Sequence, residues 1–266
     1  MNAFAQMMER AGTNAPLGTW LMSASPVVIE AMGCAGFDWG VVDMEHSPLD
    51  LTNLIHLLQA AAGTPMLTVT RVPWNDTVTI KRVLDAGATT LLVPYVQNAG
   101  EARQAVQAAR YAPEGVRGLA GMSRGSRFGT APNYFKTANA GITVLVQLET
   151  LQAVDELEAI AATPGLGGLF MGPADLSASM GYVGQLTHPE VQKVMADAAR
   201  RARAAGLHVG TVGGTPEVVR EYREMGFDFV AIASDLGLMM RAATGAVQAL
   251  KGQPAMAAPA PAPQGY

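Results

Sequence analysis

The stretch WGVVDMEHSPLDLTNLIHLLQAAAG, residues 39–63, contains one complete unit of the pattern that decides the fold. It begins with a short apolar run, which is typical of a buried strand, and this run ends abruptly in charged residues. Asp50 then gives the capping signal of a helix, and Gly63 stands where that helix should end. The unit therefore predicts a β-strand followed by an α-helix.

The same strand-then-helix pattern occurs eight times along the chain. The predicted strands are 18–23, 39–45, 66–72, 89–95, 142–149, 166–171, 207–213 and 228–234. The predicted helices are 26–35, 50–62, 76–86, 98–110, 151–162, 188–205, 216–225 and 236–250. Eight such units in a chain of 266 residues predict an α/β fold of the (β/α)8 TIM-barrel type.

A doubly wound open sheet is the alternative fold. Such a sheet is expected to carry a glycine-rich fingerprint in its first turn between strand and helix. The corresponding turn here, SASPVV at 23–28, contains no glycine, which favours the barrel. We predict one barrel domain over residues 1–252, with an excursion and short helix at 111–141 over one mouth of the barrel. Residues 253–266 are rich in Pro and Ala and are predicted to form a flexible tail.

The composition limits the class of protein. Hydrophobic residues make up 49% of the chain and charged residues 15%, so a large core can be buried. A pI near 5.6 gives no basic surface for nucleic acid. No apolar run reaches the roughly 18–20 residues of a membrane span, and no signal peptide is recognisable. Cys34 is the only cysteine, which agrees with a cytoplasmic enzyme.

Four of the predicted strands end in residues that can carry chemistry: strand two at Asp43, Glu45 and His46, strand three at Arg71, strand five at Gln147 and Glu149, and strand six at Asp175. Because barrel enzymes place their catalytic groups at the C-terminal ends of strands, these residues are the candidates for a site. The carboxylates of Glu149 and Asp175 would repel each other unless a proton or cation joins them. Oxygen ligands without a Cys or His cluster suit Mg²⁺ or Mn²⁺, and two Arg-paired structural carboxylates are the alternative.

Arg71 and His46 have both a catalytic and a structural interpretation. Arg71 could bind a substrate carboxylate or an enolate oxygen, or it could form an ion pair with Asp43 or Glu45. His46 could carry a proton near neutral pH, or it could be a structural histidine at the start of a loop. None of the four lysines falls on a predicted strand, which argues against a Schiff-base mechanism.

Several motifs together resemble one family of metal-dependent enzymes. The motifs are VVDMEHSP (41–48), PWND (73–76), LLVP (91–94), QLET (147–150) and GPADLS (172–177). Between about Leu17 and Leu250 the chain resembles the class II pyruvate aldolases of the HpcH/HpaI type. This family includes 4-hydroxy-2-oxoheptanedioate, 2-keto-3-deoxy-L-rhamnonate and 2-dehydro-3-deoxyglucarate aldolases. The resemblance implies a barrel of the phosphoenolpyruvate/pyruvate type.

The resemblance also implies a role for each matching residue. By position, Glu149 and Asp175 match the metal ligands of the family, and Arg71 matches the residue that stabilises the enolate. His46 matches the catalytic base, and Asp85 matches the aspartate that raises the basicity of that base. The substrate-binding positions are matched by Arg71, Gln147, Ala174 and Asp175. Asp85 fits poorly, because the end of a predicted helix should lie far from His46. Either that helix ends earlier, or Asp85 acts in the site of a neighbouring subunit.

The implied reaction is reversible cleavage of a 4-hydroxy-2-oxo acid to pyruvate, or hydroxypyruvate, and an aldehyde through a metal-stabilised enolate. The implied cofactor is Mg²⁺ or Mn²⁺, with Co²⁺ as a further possibility, and the implied assembly is a homohexamer formed as a dimer of trimers. We expect the excursion at 111–141 and the loop at 210–215 to help recognise the aldehyde. Alternatives are a malyl- or citramalyl-CoA lyase, for which the chain has little basic surface, and a non-catalytic barrel that binds a keto acid.

Overall fold

Eight parallel strands close into a barrel in the computed structural model, which describes residues 2–251. The strands are β1 (Leu17–Leu21), β2 (Trp39–Asp43), β3 (Leu67–Arg71), β4 (Thr90–Val93), β5 (Thr143–Leu148), β6 (Gly168–Met171), β7 (Val209–Gly213) and β8 (Phe229–Ser234). Each strand pairs with its neighbour in sequence, and β8 pairs with β1. The predicted TIM barrel is therefore confirmed, and the doubly wound sheet is excluded.

Helices follow the strands and cover the outside of the barrel. They are α1 (Ala3–Ala11), α2 (Pro26–Cys34), α3 (Leu51–Ala61), α4 (Thr77–Asp85), α5 (Ala99–Ala108), α6 (Tyr134–Gly141), α7 (Leu151–Asp155), α8 (Leu157–Ala161), α9 (Pro173–Ser179), α10 (Pro189–Ala204), α11 (Pro216–Glu224) and α12 (Asp235–Lys251). The sequence prediction of one helix over 151–162 was wrong, since two short helices meet at Glu156. It also missed α1 and α9.

Aromatic side chains fill the interior of the barrel. The largest of them are Trp20, Trp39, Phe170 and Phe229. Glycine is needed beside them, because a Cβ atom at Gly18 would collide with the ring of Trp39. Phe4 of α1 packs edge-on against Phe229, with ring centroids 5.2 Å apart, and so helps to close the N-terminal end of the barrel. The open end is therefore the C-terminal one, where barrel enzymes carry out their chemistry.

The excursion at residues 111–141 lies on the opposite side from that open end. The backbone N–H of Gly125 donates to the carbonyl of Asp85 at 3.1 Å, and Arg124 donates to the carbonyl of Ala86 at 3.1 Å. Both acceptors come just before β4 begins, so the excursion covers the N-terminal ends of the strands. Within one subunit it cannot reach an aldehyde bound at the C-terminal mouth.

Two further predictions concern the C-terminal tail and membrane-spanning segments. The Pro/Ala-rich tail predicted at 253–266 lies outside the described residues. Among residues 2–251, every helix is too short or too polar to cross a membrane.

Candidate active site at the C-terminal end of the barrel

Arg71 is the centre of the charged cluster that follows β2 and β3. The parallel register places Asp43 and Arg71 side by side as the last residues of these two strands. Arg71 donates to both carboxylate oxygens of Asp43, from Nε at 2.8 Å and from Nη2 at 2.7 Å. Both side chains are completely buried. This two-bond geometry fixes the plane of the guanidinium, as a single bond would not.

Glu45 holds the remaining arm of the same guanidinium. Its Oε2 lies 2.9 Å from Nη1 of Arg71 and 4.0 Å from Nε2 of His46. Burial raises the pKa of Glu45, and the nearby positive charge of Arg71 partly opposes that shift. The guanidinium also lies 5.5 Å from the ring of Trp20. The ion pair that the sequence left open for Arg71 is thus present with Asp43 and Glu45 together.

His46 occupies the solvent side of this cluster. Its side chain is 53% exposed, in contrast to the buried Arg71. The backbone turn that carries it is held by Asp43, whose Oδ1 accepts from the N–H of Glu45 at 3.0 Å and from that of His46 at 3.4 Å. A substrate entering the mouth of the barrel can therefore reach the imidazole.

Glu149 and Asp175 form a pair of interacting carboxyl groups across the mouth. Glu149 directly follows β5 and is only 3% exposed. Burial, with a smaller contribution from its hydrogen bond to Asp175, raises the pKa of Glu149 to about 8, and the N–H of Tyr95 opposes this. A Cβ atom at Gly172 would lie 2.8 Å from Cγ of Glu149, so the close approach of the backbone between β6 and α9 to this side chain requires glycine.

The prediction placed Asp175 at the end of strand six, whereas the structure places it four residues beyond that strand. The strand β6 ends at Met171, and Asp175 lies in the first turn of α9 together with Ala174. An acidic residue is favourable there, because the N-terminal end of a helix carries partial positive charge. The side chain still faces Glu149 and so remains part of the cluster. Gln147, on β5, is completely buried two residues before Glu149.

Asp85 is the one predicted site residue that the structure keeps away from the cluster. It is the last residue of α4, close to the start of β4, whereas His46 follows the end of β2. The two residues therefore lie at opposite ends of the barrel. Asp85 instead forms an ion pair of 2.8 Å with Arg117, whose side chain is completely buried in the excursion.

Sequence reasoning missed the contact that orients Glu149. The backbone N–H of Tyr95 donates to Oε1 of Glu149 at 3.0 Å. No side-chain pattern can reveal such a bond, because any residue except proline offers the same N–H. The two-sided ion pairing of Arg71 was also left open, although adjacent strand ends made it one of the alternatives.

The residues at the mouth suit a divalent cation. Four carboxyl groups, from Asp43, Glu45, Glu149 and Asp175, belong to this cluster, and Glu45 interacts electrostatically with both Glu149 and Asp175, so the acidic groups outnumber the single guanidinium. Among residues 2–251, His, Cys, Asp and Glu form no group of three or more placed to hold an ion. A pair of carboxylates is nevertheless a common protein contribution to a magnesium site, where water and substrate complete the coordination.

The fold and this site together define a class of protein: a TIM-barrel enzyme whose C-terminal mouth can stabilise an oxyanion. The HpcH/HpaI aldolase/citrate lyase family model matches residues 17–242, and the chain belongs to that family. The match confirms the family predicted from the sequence motifs.

Individual relatives cover nearly the whole chain. A 2-dehydro-3,6-dideoxy-6-sulfogluconate aldolase from Pseudomonas putida is 49% identical over 91% of this chain and 95% of its own length. A 5-keto-4-deoxy-D-glucarate aldolase from Enterobacter sp. (strain 638) is 46% identical over 85% of this chain and 88% of its own length. The crystal structure of a family member from Burkholderia cenocepacia J2315 has a TM-score of 0.90 at 40% identity, covering 94% of this chain and all of that one.

These relatives establish the enzyme class. The chain is an aldolase, a carbon–carbon lyase that acts on small hydroxy-oxo acids, as the motifs predicted. The acyl-CoA lyase and the non-catalytic barrel are not favoured. The roles of individual residues remain predictions.

Proposed function

We propose that this aldolase cleaves a 4-hydroxy-2-oxo acid to pyruvate and an aldehyde with the help of a divalent cation held by Glu149 and Asp175. The observation that carries the proposal is the pair of interacting carboxyls at the same end of the barrel as the buried guanidinium of Arg71. Burial raises the pKa of Glu149 because it removes water from the charged carboxylate, and a bound cation would provide the positive charge that compensates for this loss. When bound, Mg²⁺, Mn²⁺ or Co²⁺ would supply positive charge that stabilises the oxyanion formed during cleavage.

The protein's own groups then account for the remaining steps. His46, directly or through a water molecule, takes the proton from the 4-hydroxyl group, and the bond between C3 and C4 breaks. The aldehyde leaves, and the electron pair remains as the enolate of pyruvate. Arg71 is fixed by Asp43 and Glu45. Its positive charge is therefore already in place when negative charge develops on the enolate oxygen. Protonation at C3 gives pyruvate.

Gln147 and Ala174 are proposed to bind the oxo acid. Gln147 is buried on β5, two residues before Glu149, and Ala174 lies in the first turn of α9 next to Asp175. Backbone N–H groups in a first helical turn have no partner within the helix and are available to an anion. Hydroxypyruvate is proposed as a second nucleophile, because its extra hydroxyl needs only little additional space.

The substrates named for the relatives suggest the other half of the molecule. Both 5-keto-4-deoxy-D-glucarate and 2-dehydro-3,6-dideoxy-6-sulfogluconate are oxo acids with a second acidic group at the far end. We propose a substrate of this dianionic type for the present enzyme. The enzyme itself is proposed to be located in the cytoplasm, since its single cysteine suits a reducing compartment.

Removal of the cation tests the proposed function directly. We expect dialysis against EDTA to abolish pyruvate release from 5-keto-4-deoxy-D-glucarate and the 6-sulfo substrate, and Mn²⁺ or Mg²⁺ to restore it. Glu149→Gln should bind Mn²⁺ at least about 100-fold more weakly, since it removes one of two charged ligands. Glu158→Gln, a change at an exposed glutamate outside the site, is the matched control. Full activity of the metal-free protein would refute the proposal.

The last helix supports a homo-oligomer, which we propose to be the implied hexamer. Among the seventeen residues of α12, only Asp235 is buried. Met239 is 55% exposed, Met240 58% and Leu250 88%. An exposed apolar helix of this length commonly marks a protein–protein interface. A second copy of this chain is the proposed occupant, because the family resemblance implies that the last helix packs on a neighbour.

A charge placed on α12 tests this assembly. We expect Met239→Glu combined with Met240→Glu to dissociate the oligomer, because two carboxylates would have to be buried without partners. Light scattering coupled to gel filtration would then report monomers or dimers. Val27→Glu, at a residue of α2 that is 74% exposed, is the control and should leave the assembly intact. An unchanged mass for the α12 variant would show that this helix is not an interface.

A further inference from the structure

Tyr95 stands at the edge of the mouth, two residues after the end of β4, and has no role in the function proposed above. We infer that Tyr95 is a positioning residue: its left-handed backbone directs its N–H at Glu149 and so fixes the orientation of that carboxylate. The stacked ring of Trp74 holds the backbone in place. This inference rests on the proposed role of Glu149 as a metal ligand.

The backbone turn at Tyr95 ties the end of β4 to the end of β5. Tyr95 has a φ of 54°, and its N–H donates to Oε1 of Glu149 at 3.0 Å. The N–H of the next residue, Val96, donates to the carbonyl of Gln147 at 3.1 Å. Two successive N–H groups thus serve two positions of the proposed site. One oxygen of Glu149 is thus held by the backbone, while the same carboxyl group is also hydrogen-bonded to Asp175.

The conformation that makes this possible is unfavourable for tyrosine. A positive φ is uncommon for a residue with a side chain and persists only where the surroundings enforce it. Two other residues near the C-terminal ends of strands, Ala24 and Ala233, also have positive φ values of 57° and 49°. Both are alanines, whereas Tyr95 is a bulky residue. A large side chain at this position therefore needs a separate explanation.

Trp74 supplies that explanation. The rings of Trp74 and Tyr95 are stacked, with centroids 5.9 Å apart and planes 27° from parallel. They remain 56% and 45% exposed, so burial in the core does not hold them. Trp74 belongs to a tight turn in which the N–H of Asp76 donates to its carbonyl at 2.8 Å, and Asp76 caps α4. The PWND motif thereby gains a role as the support of Tyr95.

The inference is tested with Mn²⁺ alone, titrated calorimetrically into the purified full-length protein. We expect Tyr95→Phe to keep wild-type affinity, because the stack remains. Tyr95→Gly should stay within about threefold, because glycine adopts a positive φ without steric cost. Tyr95→Val should bind about tenfold or more weakly, because a β-branched residue resists this conformation. Trp74→Ala and Tyr95→Ala should lie between these limits.

Thermal unfolding is measured on each variant, so that a loss of Mn²⁺ affinity at unchanged stability can be recognised as positioning. Wild-type affinity in Tyr95→Val, or an equal loss in Tyr95→Gly and Tyr95→Val, would overturn the inference. Glu149→Gln separates this failure from that of the proposed function. If it binds Mn²⁺ as well as the wild type, the cation does not use Glu149, and both proposals fall.

Discussion

Arg71→Ala is expected to lower the rate of aldol cleavage by about 10²–10³-fold, the usual cost of removing one preorganised group that stabilises an oxyanion. It should also lower stability. The completely buried Asp43 and its neighbour Glu45 would then lose the positive charge of the guanidinium, and Asp43 would keep only the backbone N–H groups of Glu45 and His46 as partners. Breaking a buried ion pair by removing one partner typically costs about 3–5 kcal/mol.

Arg71→Lys separates these two effects. Lysine keeps the positive charge, so we expect it to recover much of the stability. It cannot donate to Asp43 from two nitrogens while holding a third beside the carboxylate of Glu45, as Arg71 does, so kcat should remain low. Urea unfolding and steady-state kinetics give the two readouts.

Arg201→Ala is the matched control for Arg71. Arg201 is paired with Glu158, whose side chain is 59% exposed, and exposed pairs contribute at most about 1 kcal/mol. Both readouts should therefore stay close to wild type. If Arg71→Lys cleaved the substrate at the wild-type rate, the planar guanidinium geometry of Arg71 would have no catalytic role beyond its positive charge.

The barrel could be predicted from the sequence because its signal is local and repeated. Each strand is a short apolar run, and each main helix has its own start or stop residues, such as Asp50, whose side chain caps α3. The charged strand ends could be read in the same way, because the barrel brings the C-terminal ends of all strands to one face. Asp43 and Arg71 are neighbours for this reason.

Features that depend on the third dimension or on another chain could not be predicted in this way. The excursion at 111–141 has no repeat to place it, and its position at the N-terminal end depends on contacts such as that of Arg117 with Asp85. The short helix α9 was hidden because it begins almost directly after β6 and has only seven residues. The bond from Tyr95 to Glu149 comes from the backbone, which carries no sequence signal.

A mixture of His46→Ala and Asp85→Asn subunits is expected to regain activity that neither variant has alone. Within one chain these residues lie at opposite ends of the barrel, so Asp85 can assist His46 only across a subunit interface. In a random mixture, each Asp85→Asn chain that has a His46→Ala neighbour would own one intact site. About a quarter of the sites would then be wild type if each interface is formed at random.

The experiment requires exchange of subunits, so the two variants are best co-expressed with different tags and the mixed oligomers purified through both. Asp85→Asn retains an acceptor for Arg117, which limits the structural damage. Arg117→Lys serves as the control for that ion pair. Recovery to about a quarter of wild-type kcat would place Asp85 in the neighbour's site by the same random-assembly argument. No recovery in mixed oligomers of correct mass would show that Asp85 has only a structural role with Arg117.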